Sequence, residues 1–225
     1  MKIYTKKGDG GQSRQMDGHF ISKTDPQILA VGALDETQSW LGLVIADLSE
    51  QTVGMRDDLQ HIQRLLYRFQ ADVSIDGSAN IHDDDVIQLE TSIDRIMAQV
   101  DRIRAFILPG GGHTGAQLQV ARVLARRAER ACVALHEARP EWVRPEGLRF
   151  INRLSDYLFA MALLANHLDG GAETPAKESC RVRGSHGRCA SSRCHCHKAN
   201  GSSRNPDHRS VSPRIRAIAF NCGSG

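Results

Sequence analysis

Aromatic residues are scarce in this chain of 225, at 5% of the total, while Ala, Leu, Ile and Val are common. Sheet sandwiches fill their pleated faces with β-branched and aromatic side chains, so the shortage favours helix packing. Cysteine is nearly missing from residues 1–169, where Cys132 stands alone, because Cys180, Cys189, Cys194, Cys196 and Cys222 all lie further on. One thiol cannot form a disulfide framework, and it suits a reducing compartment. No apolar run reaches the roughly 18 residues of a membrane span. The opening Met1-Lys2-Ile3-Tyr4-Thr5-Lys6-Lys7 also lacks a signal peptide's apolar stretch. Both absences give the expectation of a cytoplasmic protein without a membrane partner.

A large excess of one charge is absent as well, although the average misleads. The net charge of +3 covers ten Lys/Arg against three Asp/Glu in residues 170–225, leaving 19 against 23 for residues 1–169, or +7 for the tail and −4 for the body. Between Ala172 and Pro213 the only large aliphatic residues are Val182 and Val211. Such a segment cannot bury enough to fold alone. Its Cys189, Cys194 and Cys196, with His186, His195 and His197, do not have the spacing of a common zinc site. It also lacks the interleaved aromatics of a specific nucleic-acid binder. Residues 170–225 therefore read as a disordered basic tail containing Cys and His, with no metal ligands and no specific nucleic acid.

The body is rich in helical period. Asp25-Pro26 supplies an N-cap and a first helical residue, and Ile28, Val31, Leu34, Leu41 and Ile45 carry that helix to about Leu48. A second runs from about Met55 to Val73 on Leu59, Ile62, Leu65, Leu66 and Phe69. The third opens on Asp83-Asp84-Asp85, which suits the positive end of a helix dipole more economically than a metal, and carries Val86, Leu89, Ile93, Ile96 and Val100. The fourth spans about Thr114 to Glu137, and the fifth about Glu146 to Leu168 on Leu148, Ile151, Leu154, Leu158 and Met161. Five amphipathic helices with short connections and no strand-like alternation predict an all-α five-helix bundle over residues 25–169, ending near Gly170-Gly171.

Three stretches carry chemistry. Arg122-Val-Leu-Ala-Arg126-Arg127-Ala-Glu129-Arg130 stacks cations on one face of the fourth helix, and these repel one another unless something anionic lies against them. Phe106-Ile107-Leu108-Pro109-Gly110-Gly111-Gly112 leads into it, offering glycines that let backbone approach a ligand and a helix N-terminus suited to an anion. Residues 1–24 show no helical period and read as a loop. In it the amides of Gly8, Gly10 and Gly11, the hydroxyls of Thr5 and Ser13 and the Lys6 ammonium could wrap a phosphate chain. No Gly-Lys-Ser/Thr precedes a helix, so the loop is not a Walker A motif. Asp35 follows Val31 by four and so would face a neighbouring helix, where a buried carboxylate needs a cation. Arg122 is the partner nominated.

Together these features, with Val31-Gly32-Ala33-Leu34-Asp35-Glu36 and Phe150-Ile151-Asn152-Arg153-Leu154-Ser155-Asp156, resemble the PduO-type ATP:corrinoid adenosyltransferases over residues 1 to about 169. The resemblance implies a five-helix bundle with ferritin-like up-down packing, assembled as a homotrimer with sites at the subunit interfaces. It implies ATP with Mg²⁺ as co-substrate and cobalamin as substrate, and cob(I)alamin attack on the ribose 5′ carbon with release of triphosphate. An electron-donating reductase and an adenosylcobalamin-dependent enzyme would be partners. By position, Thr5, Lys6, Gly8, Asp9, Gly11, Gln12, Ser13 and Lys23 would contact ATP, and Arg126, Glu129, Arg130 and Asn152 would complete the nucleotide pocket. Asp35 would pair with Arg122 across the subunit contact, and Phe106 would sit over the cobalt, excluding the lower ligand and water. The sequence departs from the family at Ser13, where the loop usually has Thr, and in Gly112-His113-Thr114-Gly115-Ala116 before the fourth helix. A non-catalytic carrier of ATP and corrinoid, or a helical interaction protein, are the other readings the residues leave open.

Overall fold

Asp25 caps the first long helix as its type and place require: its side chain accepts from the Gln27 amide at 2.9 Å, and Pro26 occupies the first turn, where its missing N–H costs nothing. The computed structural model describes residues 2–177. Its helices are α1 (Pro26–Ala46), α2 (Arg56–Ser74), α3 (Asp83–Met97), α4 (His113–Ala138) and α5 (Pro145–Leu168). Two single 3₁₀ turns, Val53–Met55 and Pro140–Trp142, lead into α2 and α5. The five-helix expectation holds, but α3 stops at Met97, leaving Val100 beyond it.

α4 packs on α1 and α5, α1 also on α2, and α3 on α5. The buried stripe of α4 is small, with Ala121, Ala125, Ala128 and Cys132 all fully buried, so its two neighbours can come close. Larger residues fill the rest of the core, among them Leu34, Leu41, Leu59, Leu65, Leu66, Phe69, Phe150 and Leu158. Phe69 of α2 meets Phe150 of α5 edge-on, with ring centroids 5.7 Å apart. α3 is anchored at its start by Asp85, which accepts from the His82 amide at 2.9 Å and pairs with Arg68 at 3.0 Å. That gives one member of the acidic triplet a structural role, in keeping with the helix-dipole reading.

One expectation is corrected. Residues 1–24 are not wholly irregular: β1 (Gln12–Arg14) and β2 (Phe20–Ser22) form an antiparallel hairpin in the register Gln12↔Ser22, Ser13↔Ile21, Arg14↔Phe20. By length and composition alone the 21-residue α1 would pass as a membrane span, a test that a core helix also meets, and it carries Asp35 and Glu36 at its middle. Its inner face is core, and its exposed positions mix Leu29 and Leu43 with Asp35, Glu36 and Ser39.

The chain continues in contact past Gly170-Gly171. Residues 174–176 lie along 106–108, with Leu108 N–H donating to Thr174 C=O at 2.8 Å, Ala176 N–H donating to Phe106 C=O at 2.7 Å, and Ile107 opposite Pro175. The reading of the tail as a disordered Cys/His-bearing segment without zinc falls, for 178–225, outside the described residues.

Candidate active site

The N-terminal loop is shaped by unusual backbone. Lys6 has φ +62°, the sole non-glycine with positive φ among the described residues, and Gly11 has φ +80°. A lysine held in the left-handed region costs of order 1 kcal/mol or more, and such strain gathers at ligand clamps. Two successive turns follow, Asp9 N–H to Lys6 C=O at 3.4 Å and Gly11 N–H to Gly8 C=O at 3.2 Å. Lys23 N–H then donates to Gly11 C=O at 2.9 Å, fixing the loop to the strand that returns through β2. The Lys23 ammonium lies 3.4 Å from where a Gly8 Cβ would stand, so that glycine and that cation share one small concavity. Thr5, Lys6, Asp9, Gly11, Gln12 and Lys23 are exposed, with Gly8 and Ser13 half-buried. All eight loop residues named from the sequence thus lie in one turn-and-hairpin unit.

The second group lies on α4 and α5. Arg122, Arg126 and Glu129 are half-buried, and Arg130 and Asn152 are exposed. Asn152 donates to Glu129 Oε1 at 2.6 Å, and Arg130 donates to the Arg126 carbonyl at 3.1 Å. Arg122 donates its Nε–H to Gln119 Oε1 at 2.8 Å. Burial, and then the charge of Arg126, pull the Arg122 guanidinium below its usual pKa. Of the four arginines in Arg122–Arg130, Arg127 alone meets a carboxylate, that of Glu36 on α1, among the described residues. Cations crowded together and half-buried without a counter-ion are an anion site in waiting.

Asp35 does not lie buried between helices as expected. It is exposed and makes no ion pair within the described residues, because Glu36, one residue on, faces α4 and takes Arg127. The nominated Asp35–Arg122 pair is therefore not made inside one chain. Phe106 stands on the α3–α4 loop with 60% of its surface exposed, and Leu108 beside it is 50% exposed.

The glycines before α4 do something other than clear space for a ligand. A Cβ at Gly111 would fall 2.2 Å from the Asn166 amide, one at Gly115 1.9 Å from its oxygen, and one at Gly112 2.8 Å from the Asp169 carboxylate. The first turn of α4 is thus packed against the end of α5, with a carboxylate of the chain itself at the helix N-terminus. That corrects the expectation of a vacant anion site there. Asn166 and Asp169 escaped the sequence reading, as did Ser49, which donates to the Asp169 carboxylate at 2.9 Å. Asn166 was the findable one, since it falls four residues after Ala162 and eight after Leu158 on the buried face of α5.

No hydrogen bond or ion pair joins the N-terminal loop to the α4–α5 group among the described residues. Two concavities, of about 460 Å³ between α1 and α2 and about 310 Å³ along α2, α3 and α5, contain none of the candidate residues. Two groups rich in amide donors and cations, each open to solvent, mark a helical bundle suited to an anionic ligand such as a nucleotide.

The chain belongs to the cobalamin adenosyltransferase family, whose model matches residues 3–165. Among its relatives, the corrinoid adenosyltransferase of Bacillus subtilis is 37% identical over 188 residues, covering 81% of this chain and 95% of that one. That of Citrobacter freundii is 38% identical over 167 residues, covering 72% and 93%. PduO of Salmonella typhimurium is 39% identical over 168 residues, and this chain spans about half of it, 49%. A phenylalanine-to-alanine variant of a PduO-type ATP:corrinoid adenosyltransferase from Lactobacillus reuteri, complexed with cobalamin and ATP, has the same fold, with a TM-score of 0.74 and 36% identity over 79% of this chain and 100% of that one.

Proposed function

We propose that the chain transfers the 5′-deoxyadenosyl group of ATP to cob(I)alamin. The cobalt lone pair forms the bond to the ribose 5′ carbon, and the carbon–oxygen bond breaks with its electron pair going to triphosphate. The observation that carries this reading is the pair of half-buried guanidinium groups, Arg122 and Arg126, which have no carboxylate partner among the described residues. Displacing triphosphate loads negative charge on the leaving oxygen, and fixed donors aimed at that charge lower the barrier more than any acid or base could here. Arg126 and Arg130, with the amides of Gly8 and Gly11 and the ammonium groups of Lys6 and Lys23, hold the phosphates. The Asn152–Glu129 pair reaches the ribose side, and the remainder of the catalysis is positioning. Thr5, Asp9, Gln12 and Ser13 complete the loop's contacts to the nucleotide.

Phe106 is assigned to the corrinoid, where a bulky apolar side chain displaces the lower axial ligand and water. Loss of that ligand raises the cobalt(II) potential, so a one-electron donor such as a partner reductase can reach cobalt(I). An aromatic ring left 60% in solvent by its own chain suits that assignment. Mg²⁺ enters this reading as an ion carried on the nucleotide phosphates.

Assembly as a homotrimer completes the site. The outward faces of α1 and α4 carry exposed Leu29, Leu43, Val120, Val123 and Val133 around the Glu36–Arg127 pair. A second copy would cover these apolar residues, bring its loop to the arginines, and give Asp35 an Arg122 to meet. A cytoplasmic setting and a downstream enzyme that uses adenosylcobalamin belong to the same reading. The test is direct: mix protein, ATP, Mg²⁺ and chemically reduced cob(I)alamin, and follow the spectrum of adenosylcobalamin. Folded protein that yields none overturns the proposal.

A further inference from the structure

Asn166 is 1% exposed in the last turn of α5 and uses all of its amide. Its oxygen accepts from Gly112 N–H at 2.9 Å, and its nitrogen donates to Gly110 C=O at 3.1 Å and to Glu173 Oε1 at 2.8 Å. A buried amide that finds every partner specifies one arrangement, because each alternative leaves a polar atom unpaired. Its bulk fits as well as its polarity, since it occupies the space that side chains at Gly111 and Gly115 would need.

The same loop is gripped at its other end. Phe106 C=O and Leu108 N–H are bonded to Ala176 N–H and Thr174 C=O, so the residues after Glu173 run as a strap beside Phe106. Glu173 joins the two grips, touching Asn166 on one side and leading into the strap on the other. Phe106, with 60% of its surface in solvent, is not held by its own burial. What sets its place is therefore this set of backbone bonds, closed by one amide and one carboxylate.

We infer that Asn166, oriented by Glu173, is a positioning residue for Phe106, latching the α3–α4 loop to the end of α5 so that the phenyl ring is presented in one geometry. The inference rests on the proposed adenosyl transfer, to which it adds a residue that touches neither ATP nor corrinoid. A loop with three successive glycines is otherwise costly to order, and Phe106 would spend much of its time elsewhere.

Two measurements on the full chain test it. In amide hydrogen exchange, Asn166→Asp sets a carboxylate against two acceptors, and Glu173→Ala, at a half-buried position, removes one acceptor. Each should speed exchange over residues 106–112 by roughly tenfold, about what one lost charge-assisted hydrogen bond is worth, with α2 and α3 unchanged. Glu173→Gln keeps an acceptor oxygen and should stay near wild type. In the assay, cobalamin supplied as cobalt(II) with a chemical one-electron reductant should be adenosylated roughly tenfold more slowly by Glu173→Ala, while preformed cobalt(I) loses much less and KM for ATP holds. Unchanged exchange over 106–112, a rise spread evenly along the chain, or equal loss on both cobalt routes would overturn the inference. Wild-type protein inactive on cobalt(I) would instead sink adenosyl transfer itself, and the exchange comparison would still decide whether the latch exists.

Discussion

Cys132 lies fully buried in the alanine stripe of α4, where its thiol serves as a small apolar group. Burial, with the Glu129 charge adding to it, pushes its pKa from 9.0 up to about 12. The sign of the consequence follows from proton counting. Between pH 9.0 and about 12 the unfolded chain gives up this proton and the folded chain keeps it. Stability therefore falls as pH rises, by up to about 1.4 kcal/mol per pH unit, and is flat in this respect below the window. Tyr157, raised by burial and then by Asp58 against the opposing charge of Arg95, adds a decline of the same sign that begins near its ordinary value of 10.0. Cys132→Ala should flatten the first part of the fall while leaving the tyrosine's part. Urea midpoints at several pH values from 8 to 10, compared for the two proteins, check this, and parallel slopes would refute it.

Among the elements, the approach of α5 to α2 depends on Gly147, in the first turn of α5. A Cβ there would lie 2.4 Å from the Phe69 ring, which is itself held edge-on against Phe150. Helix propensity alone favours alanine over glycine by about 1 kcal/mol. The clash with a ring that is fully buried outweighs that gain, since overpacking a core costs typically about 1–3 kcal/mol. Gly147→Ala should lower the melting temperature by a few degrees, and pairing it with Phe69→Leu should recover most of the loss; a rise for the single variant would show that the ring has room to move. This element-level detail also marks where sequence reading stops. The five helices were legible because each repeats its apolar residues at helical spacing and, for α1, because Asp25-Pro26 announces the start. The hairpin was not legible, as three-residue strands such as Gln-Ser-Arg offer no alternation to detect. The run Gly110-Gly111-Gly112 reads as room for a ligand, when Asn166 and Asp169 occupy the space at Gly111 and Gly112 from 50 residues or so along the chain. Proximity of that kind leaves no local trace in the sequence. The basic face of α4 was legible, but the choice of Glu36 over Asp35 as its in-chain partner depended on the rotation of α1 against α4.

At the scale of the whole molecule, the division of the site is the property that matters. One chain carries the loop proposed to hold phosphate at its N-terminus and a set of guanidinium groups on α4, with no hydrogen bond or ion pair joining them among the described residues. If the site forms between copies, the two halves come from different subunits, and a ring of identical heterologous contacts repeats that arrangement at every interface. Lys6→Ala damages the loop and Arg126→Ala the helix, so either homo-oligomer should lose roughly 100-fold in kcat/KM for ATP, the scale of one lost transition-state donor. In oligomers assembled at random from equal amounts of the two variants, an interface is intact when an Arg126→Ala subunit offers its loop to a Lys6→Ala subunit's helix. That happens at about one interface in four. Co-refolding the variants should thus restore about a quarter of wild-type activity, far above either alone. Loop and arginines that served the same site within one chain could never be reunited by mixing, and the activity of the mixture would stay at the level of its parents.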